Sequence, residues 1–156
     1  MRLPSSSEKN LLVRRVEIAQ EALDEFRGKP FVWGSFDCAR LGAFVLRRCG
    51  YKPNLARFGD YKTELAARRA LARQGHASLA SAVDALGPMR IAPAATLPCD
   101  LIAFPGQEGG LDGLTVVLGN GRVLGFTEAA EHGACSIIDA HLQHATAAWS
   151  VPPWRK

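Results

Sequence analysis

The stretch Pro30-Phe31-Val32-Trp33-Gly34-Ser35-Phe36-Asp37-Cys38-Ala39-Arg40-Leu41 decides how this chain is read, because a glycine turn runs straight into a cysteine at a helix start. Aspartate is among the residues preferred as an N-cap, a role worth about 1 kcal/mol. The residues after Asp37 place Leu41, Phe44 and Val45 on one face, Arg47 and Arg48 in a last turn and Gly50 just beyond. These are the start and stop signals of a helix beginning at Asp37 or Cys38. A thiol in the first turn sits at the positive end of the helix dipole, which favours the thiolate and makes a nucleophile chemically plausible. The competing reading of Cys38 is a small buried residue that fills a junction between helix and sheet and is inert. Asp37 reads first as the cap and second as a group that orients a substrate amine. Trp33 lines a cleft beside Gly34 in one reading and packs in the core in the other.

Outward from this stretch, the first half of the chain reads as helices and the second as strands, the order of an α+β domain. Ser5 and Glu8 have capping-box spacing, and Val16, Ala19, Leu23 and Phe26 recur at helical intervals until Gly28-Lys29-Pro30. Residues 61–74 form an alanine- and arginine-rich helix closed by Gly75, and residues 78–86 a shorter one closed by Gly87-Pro88. From Pro98 the pattern changes. Residues 100–104 and 114–118 are apolar runs that read as buried strands, with a glycine-rich loop over 106–113 between them. Gly119-Asn120-Gly121 supplies positive-φ positions for a tight hairpin into residues 122–126. Further strands are expected at 136–139 and 148–151, making a small antiparallel sheet of about four or five strands with the N-terminal helices packed on one face.

A length of 156 residues with 47% hydrophobic content fits one domain, with its core at about 8–151 and flexible ends. No stretch approaches the roughly 18 apolar residues of a membrane span. The first nine residues lack the apolar run of a signal peptide, so synthesis in the cytoplasm is the expectation. The four cysteines, Cys38, Cys49, Cys99 and Cys135, are irregularly spaced without a CxxC pair. They signal neither a zinc site nor a disulfide framework, and no cofactor is implied. Cys49 and Cys135 read as structural, and Asp100 as a strand-start carboxylate that binds loop amides. The net charge of +4 comes from arginines such as Arg14, Arg15, Arg47, Arg48, Arg68, Arg69 and Arg73, which read as solvated helix faces. Aromatics do not interleave with them, so nucleic-acid binding is not expected.

A Trp-Gly turn, Asp-Cys opening a helix, an apolar strand beginning with Asp and then a β-hairpin resemble the NlpC/P60 family, papain-like cysteine peptidases usually of cell-wall peptides. Trp33-Gly34 with Phe36-Asp37-Cys38 is similar to that family's nucleophile motif, which puts Cys38 in the nucleophile position. Residues 98–104 look like its Pro-Gly-Asp-Leu-Val strand, with Cys99 in the glycine place. Residues 113–121 are similar to the segment that carries its catalytic histidine, and Gly113 stands where that histidine is expected. Shortness, the arginine- and alanine-rich middle and the closing Ala147-Ala148-Trp149-Ser150-Val151 resemble a bacteriophage tail-associated group that lacks the histidine.

A cysteine peptidase needs a base to hold the thiolate and to protonate the leaving amine, which helix position alone cannot supply. His76 lies between helices, and His132, His141 and His144 lie in the C-terminal third. His132, in a loop after the hairpin, is the best substitute. Two functions follow from the resemblance. One is a catalytically silent domain in a virion tail tip, joined to hub, baseplate or tape-measure proteins. The other is a thiol peptidase or amidase that opens peptidoglycan peptides during genome entry, with Cys38 and His132. A weaker third is a binding module whose cleft, lined by Trp33, Gly34, Asp37 and Gly113, holds a peptide or a partner's chain end. In the C-terminal tail over 152–156, Trp154 beside Arg155 reads as an anchor for a partner protein.

Overall fold

The computed structural model describes residues 6–106, 110–127, 130 and 133–153. Four α-helices come first: α1 (Ser6–Phe26), α2 (Cys38–Arg48), α3 (Glu64–Arg73) and α4 (Leu79–Ala85). The strands β1 (Met89–Arg90), β2 (Leu101–Phe104), β3 (Gly113–Gly119), β4 (Arg122–Phe126), β5 (Cys135–Asp139) and β6 (Ala147–Ser150) follow. They form one antiparallel sheet in the order β1-β6-β2-β3-β4-β5. The α+β reading holds, and the sheet has six strands where four or five were expected. The additional strand is β1, two exposed residues whose partners are Ser150 and Trp149. Two residues carry no alternation, so no pattern announces them.

Side chains alternate across the sheet as the pleat requires. Leu101, Ala103, Leu114, Val116, Leu124 and Trp149 face α1 and α2 and form the main core. Ile102, Val117, Val123 and Ala148 point the other way, into a smaller cluster with Ile91, Phe104, Ile138 and Leu142. At the hairpin Gly119, Asn120 and Gly121 all have positive φ, as expected, and a register irregularity lies between Val117 and Gly119.

The helix boundaries follow from caps. Asp37, Thr63 and Ser78 each accept a hydrogen bond from the backbone N–H three residues on, at α2, α3 and α4 respectively. Thr63 therefore starts α3 later than the expected residue 61, which leaves Tyr61 in the preceding turn. The Ser5–Glu8 capping box lies outside the described residues.

The largest departure concerns α1. Its buried stripe is Arg15, Ile18, Ala19, Ala22 and Phe26, while Val16 is 57% exposed. The stripe is turned one residue from the expected one because Arg15 is not a solvated arginine. Its guanidinium is buried and donates from Nη1 to Asp100 Oδ1 at 2.7 Å and to the Pro98 carbonyl at 3.2 Å. Asp100 binds loop amides as read, accepting from the N–H groups of Leu97 and Val151, both at 2.8 Å. One carboxylate thus joins α1, the entry to β2 and the exit from β6.

Removing one partner of a buried pair leaves the other charge uncompensated. We expect Arg15→Met to lower stability by about 3–5 kcal/mol, read as a fall in the urea midpoint. A loss below about 1 kcal/mol, the scale of an exposed pair, would contradict this account of α1 docking.

Candidate functional site

The turn before α2 is closed by Asp37. Its Oδ1 accepts from the Arg40 N–H at 2.8 Å, and its Oδ2 accepts from the Gly34 N–H and the Tyr61 hydroxyl, both at 2.8 Å. Asp37 is 1% exposed, and both oxygens are occupied by the protein itself. The capping role is the one these contacts describe; they leave no oxygen aimed at a substrate amine. Gly34 has φ +79°, and a Cβ there would meet the Tyr61 carbonyl oxygen at 2.7 Å, so the turn requires glycine twice over.

Cys38 is half-buried at the first position of α2. Burial pushes its thiol up from an ordinary 9.0 to about 12. A hydrogen bond from the Leu114 backbone N–H pulls the other way, and the carboxylates of Asp37 and Asp112 add to the rise. The acidic thiol expected from the helix dipole is therefore corrected. Loss of water around the sulfur outweighs a terminal dipole that Asp37 already neutralises.

Gly113 opens β3 opposite Phe104, next to the residue whose N–H meets the sulfur. A Cβ at Gly113 would meet nothing within 4 Å, so the place of the expected histidine is open space. The segment leading into it is held from two sides. The Leu111 N–H donates to Glu64 Oε1 at 2.7 Å, and the Asp112 carboxylate accepts from the N–H groups of Leu79 and Ala80 at 2.9 and 3.0 Å. In this way α3 and α4 fix the strand start that faces Cys38.

A cavity of about 470 Å³ adjoins the thiol between α2, α3, α4 and the turn over 51–61; Trp33, Cys38, Ala43, Ala70 and Leu114 are among its walls. Trp33 is half-buried, edge-on to Phe31 at 4.7 Å and to Tyr61 at 6.5 Å. Asp37 also lines the cavity, whereas Gly34 and Gly113 lie in the turn and strand beside it. His76 lines it too, with Nδ1 3.0 Å from Ser81 Oγ. His141 and His144 lie elsewhere, around a short 3-10 turn before β6. His132, Trp154 and Arg155 lie outside the described residues. Among the described residues no histidine hydrogen-bonds the Cys38 sulfur, no cluster of side chains is placed to hold a metal ion, and no helix is long and apolar enough to cross a membrane.

Two site residues escaped the sequence reading. Tyr61 was placed inside a helix, although Thr63 as a competing cap would have freed it. Asp112 sits in a glycine-rich loop, and its tie to α4 spans more than 30 residues, which no local pattern reports.

Solved structures of NlpC/P60 proteins share this fold of helices packed on an antiparallel sheet. One is an NlpC/P60 family protein from Bacillus cereus, with TM-score 0.58 and 13% identity over 88% of this chain and 40% of that one. A second is NlpC2 from Trichomonas vaginalis, with TM-score 0.54 and 15% identity over 92% of this chain and 47% of that one. A third is the NlpC/p60 domain of the peptidoglycan hydrolase SagA, with TM-score 0.51 and 18% identity over 86% and 97%. This chain thus spans less than half the length of the first two and nearly all of the third. Within this fold, the chain belongs to the family described as a domain of unknown function, DUF6950, whose model matches residues 14–151. No curated protein matches it.

Besides Cys99, which its contact with Cys49 raises, three acids hold their protons more tightly in the folded chain because they are buried. Cys38 and Cys135 are pushed up to about 12 and the Tyr61 hydroxyl is also raised, in each case chiefly by burial. The unfolded chain releases these protons first, so the folded state loses stability as pH rises above the ordinary thiol value. The urea midpoint should be level up to about pH 8 and fall above about pH 9, with each thiol costing about 1 kcal/mol by about pH 10. A midpoint unchanged at about pH 10.5 would contradict the burial of these groups.

Proposed function

We propose that this chain is a non-catalytic NlpC/P60-like module that acts by contact, as a structural component of a bacteriophage tail tip. The observation that carries the non-catalytic reading is the state of Cys38. Its thiol is held protonated at neutral pH, and the place beside it where the family's base would stand is Gly113 with open space around it. A protonated thiol is a poor nucleophile, and among the described residues no histidine hydrogen-bonds the sulfur to return a proton to a leaving amine. The tail-tip setting rests on the sequence resemblance, with hub, baseplate or tape-measure proteins as partners and the virion as the location. The cavity beside Cys38 and the Trp154–Arg155 pair are the surfaces such partners would engage.

A second reading, a peptidase acting on peptidoglycan peptides, is favoured by one observation: His76 and Cys38 line the same cavity. The pH dependence of alkylation separates the two. For an inert thiol the iodoacetamide rate rises with pH through about pH 10 without a plateau, because the thiolate fraction keeps growing. A plateau near neutrality, together with release of peptides from peptidoglycan that His76→Ala abolishes, would establish the peptidase instead.

Gly113→His provides the complementary test, since the open space admits a side chain. We expect it to change stability by less than about 1 kcal/mol and to raise the alkylation rate at about pH 7 by tenfold or more. The partner role has its own readout. Deleting residues 152–156 should remove the chain from assembled particles, followed by mass spectrometry of purified virions, while the melting temperature of the isolated domain stays within a few degrees. A chain absent from particles even when intact would overturn the tail-tip reading.

A further inference from the structure

The site uses the thiol that begins α2, but a second pair of thiols lies where α2 ends. Cys49 is the C-cap of α2 and Cys99 precedes β2 by two residues. Their sulfurs are 3.9 Å apart, in direct contact, and both residues are 0% exposed. Arg15 Nη1 lies 3.8 Å from Cys99 Sγ, and the Val151 carbonyl oxygen lies 3.5 Å from the same sulfur. Cys99 holds φ +70°, a left-handed backbone that a non-glycine residue rarely adopts, and this conformation aims its side chain at α2.

We propose that Cys49 and Cys99 are a reversible oxidation site: in the presence of hydrogen peroxide they join as a disulfide that ties the end of α2 to the start of β2. A bonded pair stands at about 2.0 Å, so the sulfurs approach by about 2 Å from their 3.9 Å contact. Cys49 is the attacking sulfur. The hydrogen bond from Cys99 and the positive charge of Arg15 favour its thiolate against the cost of burial. The thiolate attacks one peroxide oxygen and the O–O bond breaks, giving a sulfenic acid at Cys49 and releasing hydroxide, or water once protonated. Cys99 sulfur then attacks the Cys49 sulfur; the S–O bond breaks and hydroxide leaves with the Cys99 proton as water. In sum two thiols are oxidised, one peroxide is reduced and two waters form. Complete burial excludes bulky reagents and slows reduction of the finished bond, which suits a site that responds only to small oxidants. The partners are 50 residues apart in the chain, so the bond closes a loop long enough to restrict the unfolded state substantially.

The test takes the full reduced chain, exposes it to hydrogen peroxide without denaturant and maps its peptides under non-reducing conditions. The expected product carries the Cys49 peptide joined to the Cys99 peptide with loss of two hydrogens. The melting temperature should rise by about 5–10 °C and return on adding dithiothreitol. Cys49→Ser should abolish the rise; if that variant does not fold, the wild-type peptide map alone decides. Two results would overturn the proposal. In one, Cys49 and Cys99 still label as free thiols on denaturation after Cys38 has been oxidised. In the other, the 49–99 bond forms only when denaturant is present.

Discussion

A single buried carboxylate organises this domain. Asp100 receives the Arg15 guanidinium from α1, the Leu97 amide from the loop before β2 and the Val151 amide beyond β6. An isolated charge at that depth would be intolerable, and the pair is supportable because the remaining lone pairs are also engaged. Such pairs contribute less to stability than to uniqueness in some proteins. Here the geometry fits that role: any other rotation of α1 about its axis would strand both charges in the core. The helix's apolar residues alone would permit a neighbouring stripe through Val16, and the ion pair excludes it.

The same logic of satisfied polar groups shapes the region around Cys38. Asp37 is fully occupied by the turn, Asp112 by α4 and Glu64 by the segment before β3. Each of these carboxylates holds backbone in place, and two of them, Asp37 and Asp112, act against ionisation of the half-buried thiol. A catalytic site in this fold would ask the opposite of its surroundings, namely positive charge and a mobile proton.

Legibility in the sequence tracked the range of the forces involved. Asp37, Ser78 and the Gly119-Asn120-Gly121 turn act within four residues, and their elements were readable to within a residue or two. The α+β order and the alternation of the central strands were readable for the same reason. Arg15 was not, because nothing near it in sequence distinguishes an arginine bound for a carboxylate 85 residues away from one facing water. Asp112 failed on the same ground, Tyr61 because the local cap at Thr63 went unread, and β1 because two residues form no pattern. For the site, the position of Cys38 was legible and both of its chemistries were open, because a dipole argument is local whereas desolvation depends on everything that packs around the sulfur.

The sheet order has a consequence for how the chain comes to be folded. β6 is the last strand in sequence, yet it lies between β1 and β2, with Leu101 opposite Trp149. Trp149 is wholly buried and donates to Asp84, so the central layer and α4 both wait on it. During synthesis, helices and the β3–β4 hairpin can form as they emerge, but β2 keeps an open edge until Ser150 has cleared the ribosome. From the emergence of β2 until β6 arrives, the nascent domain therefore carries an open strand edge exposed to its neighbours. Completion is a late, long-range event of the kind that folds slowly and leans on chaperones.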